Sequence, residues 1–199
     1  MKNILVVNSS LNSEAGNSSK LVANYLDKLA GKDVKLDLLD LNKAQLPHLT
    51  QQEMAAWMTA PEERTQAQAE LAAISDALLS RLEEADEVVI GLPMYNLGVP
   101  STFKAWIDRL ARAGKSFKYT ETGPVGLIAD KPVTVLAARG GVYAGTDYDT
   151  QTPYIRHIFG LMGITSVNFV YAEGLNMGEE AAEKAFSAAN EKFIELLSN

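Results

Sequence analysis

Three short stretches carry residue types suited to gripping a ligand through backbone amides and hydroxyls. The first is Ser9–Ser19, which holds five serines, two asparagines and a glycine. It separates the apolar run Lys2–Asn8 from Leu21, Val22, Tyr25, Leu26 and Leu29, which recur at helical spacing up to Gly31. At such a strand–loop–helix junction the first helical amides lack internal partners, and the helix dipole favours an anion. Ser and Asn add donors without adding charge, so Ser10, Gly16, Asn17 and Ser18 are candidates for holding a phosphate. Capping of the helix by Asn17 or Ser18 explains one residue but not so long a loop. Neither G-x-G-x-x-G nor Gly-Lys-Ser/Thr occurs here, which points away from dinucleotides and P-loop nucleotides and toward a single phosphate monoester.

The second stretch, Gly91–Pro100, lies between the apolar segment Glu87–Leu92 and a helical segment from Ser101 to Ala113. Two glycines and two prolines exclude regular structure, so the amides of Met94, Tyr95, Asn96 and Leu97 cannot all be paired in sheet or helix. The third, Ala138-Arg139-Gly140-Gly141, follows the apolar run Lys131–Ala137. Adjacent glycines there let backbone approach a flat ring closely, although a plain turn would also use them.

The elements that position these loops alternate along the chain. Strands are expected at Lys2–Asn8, Val34–Asp40, Glu87–Leu92, Lys131–Ala137 and Thr165–Tyr171, with helices at Ala67–Glu84, Thr152–Met162 and Glu179–Leu197 besides the two already named. Residues 41–61 read as an irregular excursion with a short helix near Glu53–Met58. A second excursion, Gly114–Gly126, sits between the third main helix and the fourth strand, with Phe117 and Tyr119 alternating as in a strand. Continuous apolar strands joined by helices predict a five-stranded, doubly wound parallel α/β sheet of flavodoxin-like order 2-1-3-4-5, as one domain over residues 1–199. The switch point of that order lies between the first and third strands, so the hydroxyl loop and the Met94–Leu97 loop should meet at one crevice.

Bulk properties exclude several classes. The chain of 199 residues has no cysteine, which removes disulfides, thiolate nucleophiles and Cys-bound metals, and is compatible with a reducing cytoplasm. His48 and His157 stand apart without ligand-like spacing, so no metal is expected. A net charge of −7 argues against nucleic acid as partner. No signal peptide and no membrane-spanning run is read in the sequence.

With these pieces placed, the chain resembles the FMN-dependent NADH:azo and quinone oxidoreductases of the azoreductase family, essentially end to end. The words carrying the resemblance are Pro93-Met-Tyr-Asn96, Ala111-Arg-Ala-Gly114, Phe117-Lys-Tyr-Thr-Glu121, Arg139-Gly-Gly141 and Ala172-Glu-Gly174. The resemblance implies that Ser10, Gly16, Asn17 and Ser18 hold the FMN phosphate. It implies that Met94, Tyr95, Asn96 and Leu97 line one edge of the isoalloxazine, and Ala138, Arg139, Gly140 and Gly141 the other. It also implies a homodimer with FMN sites at the subunit interface, NADH or NADPH as co-substrate, and ping-pong transfer to quinones and azo compounds. The chain departs from the family in reading Gly16-Asn17-Ser18 where Ser-Gln-Ser is common, Leu97 where Phe is common, and Ala138 where Ser is common. None of these changes removes a backbone donor.

On this expectation the ring does the redox chemistry, and no catalytic acid is required. Asn96 adds a side-chain donor. Tyr95 packs beside the ring or serves as a core aromatic. Phe117 and Tyr119 wall the acceptor pocket, with Tyr119 a proton donor, or else pack in the dimer interface. The competing classes are a flavodoxin-type electron carrier without NADH turnover and a phosphoacceptor signalling domain. The second needs clustered acids after the first strand, where Asn8-Ser9-Ser10 stands instead.

Overall fold

The structure is a computed structural model and describes the backbone of residues 1–198 and the side chains of 1–197. In chain order it comprises β1 (Lys2–Asn8), α1 (Asn17–Asp27), β2 (Val34–Asp40), α2 (Leu41–Ala44), α3 (Gln51–Met58), α4 (Gln66–Glu84), β3 (Glu87–Pro93) and α5 (Ser101–Leu110). There follow β4 (Phe117–Thr120), β5 (Gly123–Gly126), β6 (Val133–Ala138), α6 (Gln151–Met162), β7 (Val167–Ala172) and α7 (Glu179–Ser198). The main sheet is parallel with order β2-β1-β3-β6-β7. Since β4 and β5 pair only with each other, this is the 2-1-3-4-5 pattern expected from the sequence.

Strand composition follows from position in the sheet. Every residue of β3 and β6 is buried, because helices cover both faces of these central strands. Alternating side chains of β1 divide the core in two. Leu5 and Val7 join α4, α5 and α6 through Leu82, Trp106 and Phe159 on one face. Ile4 and Val6 join α1 and α7 through Leu21, Tyr25 and Phe193 on the other. Among the described residues no helix is long and apolar enough to cross a membrane.

Several boundaries differ from the sequence expectation. α1 stops at Asp27 rather than running to Gly31, because the amides of Lys28 and Leu29 turn back to the carbonyls of Tyr25 and Leu26. β6 begins at Val133, not Lys131, and Pro132 before it has no N–H to give the ladder; the Lys131 side chain is used elsewhere. Its ammonium donates to the carbonyls of Leu82, Glu83 and Ala85 at the end of α4. A cation there satisfies carbonyls that the helix leaves open.

The irregular segment after β2 is fastened to α5 by charge. Glu53 and Arg109 are buried and paired at 2.7 Å, and Arg109 also donates to the carbonyl of Pro47 at 2.9 Å. One turn on, Arg112 lies over the Trp57 ring at 5.0 Å and pairs with Asp76 at 2.6 Å. Removing one member of a buried ion pair strands the other in low dielectric. Glu53→Ala is therefore expected to destabilise the protein by roughly 3–5 kcal/mol, and Glu53→Gln by less, since an amide oxygen still faces Arg109. Urea unfolding midpoints of the two variants check this ordering.

Candidate functional site

The carboxyl ends of β1, β3 and β6 lie side by side, with Asn8 opposite Gly91 and Pro93 opposite Ala138. Between them is a cleft of about 210 Å³. Ser10, Asn12, Gly16 and Asn17 line it from the first loop, Pro93, Met94 and Tyr95 from the second, and Ala138, Arg139 and Gly140 from the third. Leu175 and Asn176, after β7, complete it.

The first loop presents donors and almost no charge. The N-cap of α1 is Gly16, with no side-chain cap and no acid in the first turn. Neither Asn17 nor Ser18 is thus the cap. Both lie inside the first turn, where backbone amides have no acceptor within the helix. The Ser18 hydroxyl is buried without a hydrogen-bond partner. A side chain at position 16 has no room: a Cβ there would lie 2.0 Å from the Ser10 hydroxyl, which itself accepts the Asn12 amide at 3.2 Å.

The second loop is tighter than its sequence suggests. The amides of Tyr95 and Gly98 exchange hydrogen bonds with each other's carbonyls at 3.1 and 2.9 Å, closing a two-residue turn. Asn96 and Leu97 form it at φ 50° and 62°, the left-handed conformation that such a turn requires. The Met94 amide is also used, donating to the Ala138 carbonyl at 3.0 Å. The spare donors narrow to the amides of Asn96 and Leu97, for which no acceptor occurs among the described residues. Tyr95 is half-buried, and its hydroxyl accepts the Leu11 amide at 3.2 Å, so it ties the first two loops together rather than filling the core.

In the third loop the carbonyls are consumed and the amides spared. Arg139, Gly140 and Gly141 accept through their carbonyls from the amides of Leu175, Asn176 and Gly174. The amides of Gly140 and Gly141 find no acceptor among the described residues. A Cβ at Gly140 would fall 2.5 Å from the side-chain nitrogen of Asn176, which would have to move aside.

Arg139 contributes backbone only, because its guanidinium is buried beneath the loop. It pairs with Asp149 at 2.8 Å and Glu173 at 3.1 Å, donates to Gln151 at 3.3 Å, and lies 4.8 Å from the centre of the Tyr171 ring. Glu173 also takes the amides of Tyr143 and Ala144, both at 2.9 Å. Burial pushes the Asp149 carboxyl up, but hydrogen bonds from Arg139 and Thr152 outweigh it and hold the group below the usual carboxylate range.

Of the candidate residues, the chain brings Ser10, Gly16, Asn17, Met94, Tyr95, Ala138, Arg139 and Gly140 to the cleft. Ser18 is buried within α1, Asn96 and Leu97 are exposed in their turn, and Gly141 borders the Tyr143 ring. Phe117 and Tyr119 are not brought there. Their hairpin follows α5 and adjoins the end of α6, where the Ile128 amide meets the Met162 carbonyl. That is the end of the sheet at which the strands begin, so these residues cannot wall the cleft of their own chain. Sequence reasoning missed Asn12, Asn176, Asp149 and Gln151. Glu173 was visible only as part of a motif word.

A doubly wound parallel sheet with amide-rich loops at its switch point defines a flavodoxin-like protein, and the family described as flavodoxin-like fold matches residues 2–197. An FMN-dependent NADH:quinone oxidoreductase of Alteromonas mediterranea is 58% identical over 197 residues, 98% of each chain. One of the same name from Alcanivorax borkumensis is 50% identical over 194 residues, 96% of this chain and 98% of the other. A crystal structure of an azoreductase from Bacillus anthracis matches with TM-score 0.88 at 35% identity, over 98% of each chain. An FMN-dependent NADH-azoreductase from that species, in complex with FMN, matches with TM-score 0.86 at 25% identity, over 98% of this chain and 99% of the other. The chain belongs to the family of the FMN-dependent NADH:quinone oxidoreductases, within the flavodoxin-like fold.

The Asp149 environment has a consequence for stability. A carboxyl depressed in the folded state contributes stability above its ordinary value, near 3.9, and that contribution is lost as pH falls below it. Asp149→Asn is expected to lower the thermal midpoint at pH 7 and to narrow its difference from the unsubstituted protein as pH drops toward 3. Thermal melts across that range measure it.

Proposed function

We propose that the chain is an FMN-dependent oxidoreductase that passes two electrons from NADH or NADPH to quinones and azo compounds. The observation that carries this reading is the distribution of unused donors around one cleft. At one end are the uncapped first turn of α1 and the partnerless Ser18 hydroxyl. At the other are two separate pairs of spare amides, Asn96 with Leu97 and Gly140 with Gly141. That set fits a ligand with a phosphate at one end and a flat polar ring at the other, which is the shape and chemistry of FMN. The names of the relatives point the same way.

When bound, FMN supplies the redox chemistry, accepting a hydride from the nicotinamide and yielding two electrons to an acceptor in a second, ping-pong half-reaction. The residues of the chain hold and polarise. Ser10, Asn17, Ser18 and the first-turn amides bind the phosphate with neutral donors, because the one buried cation nearby, Arg139, is already matched by Asp149 and Glu173. The amides of Asn96, Leu97, Gly140 and Gly141 are fixed dipoles held in place before any charge develops, the arrangement that best stabilises negative charge. Tyr95 keeps the phosphate and ring loops in register through the Leu11 amide.

The active unit in this reading is a homodimer. Tyr119, Val125, Met54 and Met58 are exposed on the hairpin and α3, and their contact with a second copy would bury them. Phe117 and Tyr119 can then act only at the partner's cleft.

Anaerobic addition of NADH to the FMN-loaded protein should bleach the yellow band within the mixing time of a turnover assay. Persistence of the band would instead favour an electron carrier reduced by another protein. Ser18→Ala should raise the FMN dissociation constant about tenfold, as expected for losing one hydrogen bond to a charged group, and leave the apo-protein's melting temperature unchanged. Isothermal titration with FMN and a melt of the apo form check both halves.

A further inference from the structure

Gln151, the first residue of α6, is completely buried and touches the three elements on which the ring-holding amides depend. Its Nε2 donates to the carbonyl of Pro93 at 2.9 Å and to that of Gly98 at 3.1 Å, the two shoulders of the Asn96–Leu97 turn. Its Oε1 accepts from Arg139 Nε at 3.3 Å. Only this orientation of the carboxamide works, since two carbonyls need donors and a guanidinium needs an acceptor. The preceding residue, Thr150, donates its hydroxyl to the Leu97 carbonyl. Residues 150 and 151 thus grip two carbonyls of the turn, those of Leu97 and Gly98, and that of Pro93 at the end of β3 just before it.

That turn needs gripping. Two adjacent non-glycine residues sit at left-handed φ, a conformation Leu rarely adopts. Its two internal cross-bonds join Tyr95 to Gly98 but do not hold the turn against the sheet. The Met94 amide ties its approach to Ala138 and the Tyr95 hydroxyl ties one shoulder to Leu11, while the carbonyls of Leu97 and Gly98 on its other side are held from the start of α6. Arg139, on the far side of Gln151, is clamped by Asp149 and by Glu173, and Glu173 orients the loop after Gly141 through the amides of Tyr143 and Ala144.

We propose that Gln151, assisted by Thr150, is a positioning residue that aims the Asn96 and Leu97 amides and couples that turn to the Arg139–Gly141 loop, so that both ring-holding loops respond as one unit. The inference rests on the flavin reading given above. Reduction places negative charge on the ring, and preorganised amides stabilise the more negative form more strongly. Loosening them therefore weakens the reduced state more than the oxidised one.

The test uses the FMN-loaded protein and measures dissociation constants of oxidised and reduced FMN together with the midpoint potential, by reductive titration against a reference dye. Gln151→Met fills nearly the same volume and removes every one of these hydrogen bonds. It should weaken oxidised FMN about tenfold and reduced FMN about a hundredfold, the extra factor of ten lowering the two-electron potential by about 30 mV. Thr150→Val, at an exposed position, should shift the potential in the same direction by less, and Thr150→Ser should restore it. If Gln151→Met does not fold, the Thr150 pair decides. Equal weakening of both redox forms, or no weakening, would overturn the proposal and reduce Gln151 to a packing residue. Unsubstituted protein that takes up no FMN would instead overturn the cofactor reading itself, a result these variants cannot produce.

Discussion

The buried guanidinium of Arg139 is the constraint around which the cleft is built. A cation removed from water has to be paired and hydrogen-bonded on every side. Its partners Asp149, Gln151 and Thr152 come from the start of α6, and Glu173 from the loop after β7. Satisfying one side chain therefore draws two connections against the end of β6. Those connections in turn hold the backbone on either side of the cleft. Arg139 is matched by two carboxylates, so its charge is spent within the protein.

This arrangement explains why the site relies on amides. In the third loop the carbonyls of Arg139, Gly140 and Gly141 are consumed by residues 174–176, and the amides of Gly140 and Gly141, on the same peptides as the first two carbonyls, point the other way. In the second loop the Gly98 amide takes the Tyr95 carbonyl, whose peptide carries the unused Asn96 amide, while residues 150 and 151 hold the carbonyls of Pro93, Leu97 and Gly98. In each loop several carbonyls are tied within the protein while two adjacent amides, Asn96 with Leu97 and Gly140 with Gly141, have no acceptor among the described residues. Neutral donors of this kind keep their alignment at all pH values at which the fold survives, whereas a lysine would bring a mobile charge to a protein already carrying −7.

Much of the architecture was legible because burial leaves a strong pattern. The apolar runs at residues 4–7, 88–92 and 133–138 read as parallel strands since each is covered on both faces. The sheet order followed from alternating strands and helices, and the cleft from the switch point of that order. Boundaries were less legible where long-range partners decide which residues pair. Lys131 reads as the start of a strand, yet its ammonium is spent on the end of α4. Tyr95 lines the cleft, and the sequence does not show the tie its hydroxyl makes to the Leu11 amide, because that partner is distant along the chain.

Residue types and local spacing determined the fold class, the three loops and most of the cleft lining, because strand periodicity, glycine freedom and helix ends are properties of neighbouring residues. Tertiary structure alone decided which donors remain unused. Whether the Met94 amide is free depends on the Ala138 carbonyl, and whether the Arg139 side chain can reach a ligand depends on Asp149 and Glu173. It also decided that Phe117 and Tyr119 stand at the far end of the sheet, since the direction in which α5 returns the chain is a matter of parallel-strand topology. Gln151 has no local signature, because its importance comes from carbonyls more than fifty positions away, and a contact of that range exists only once the sheet has formed.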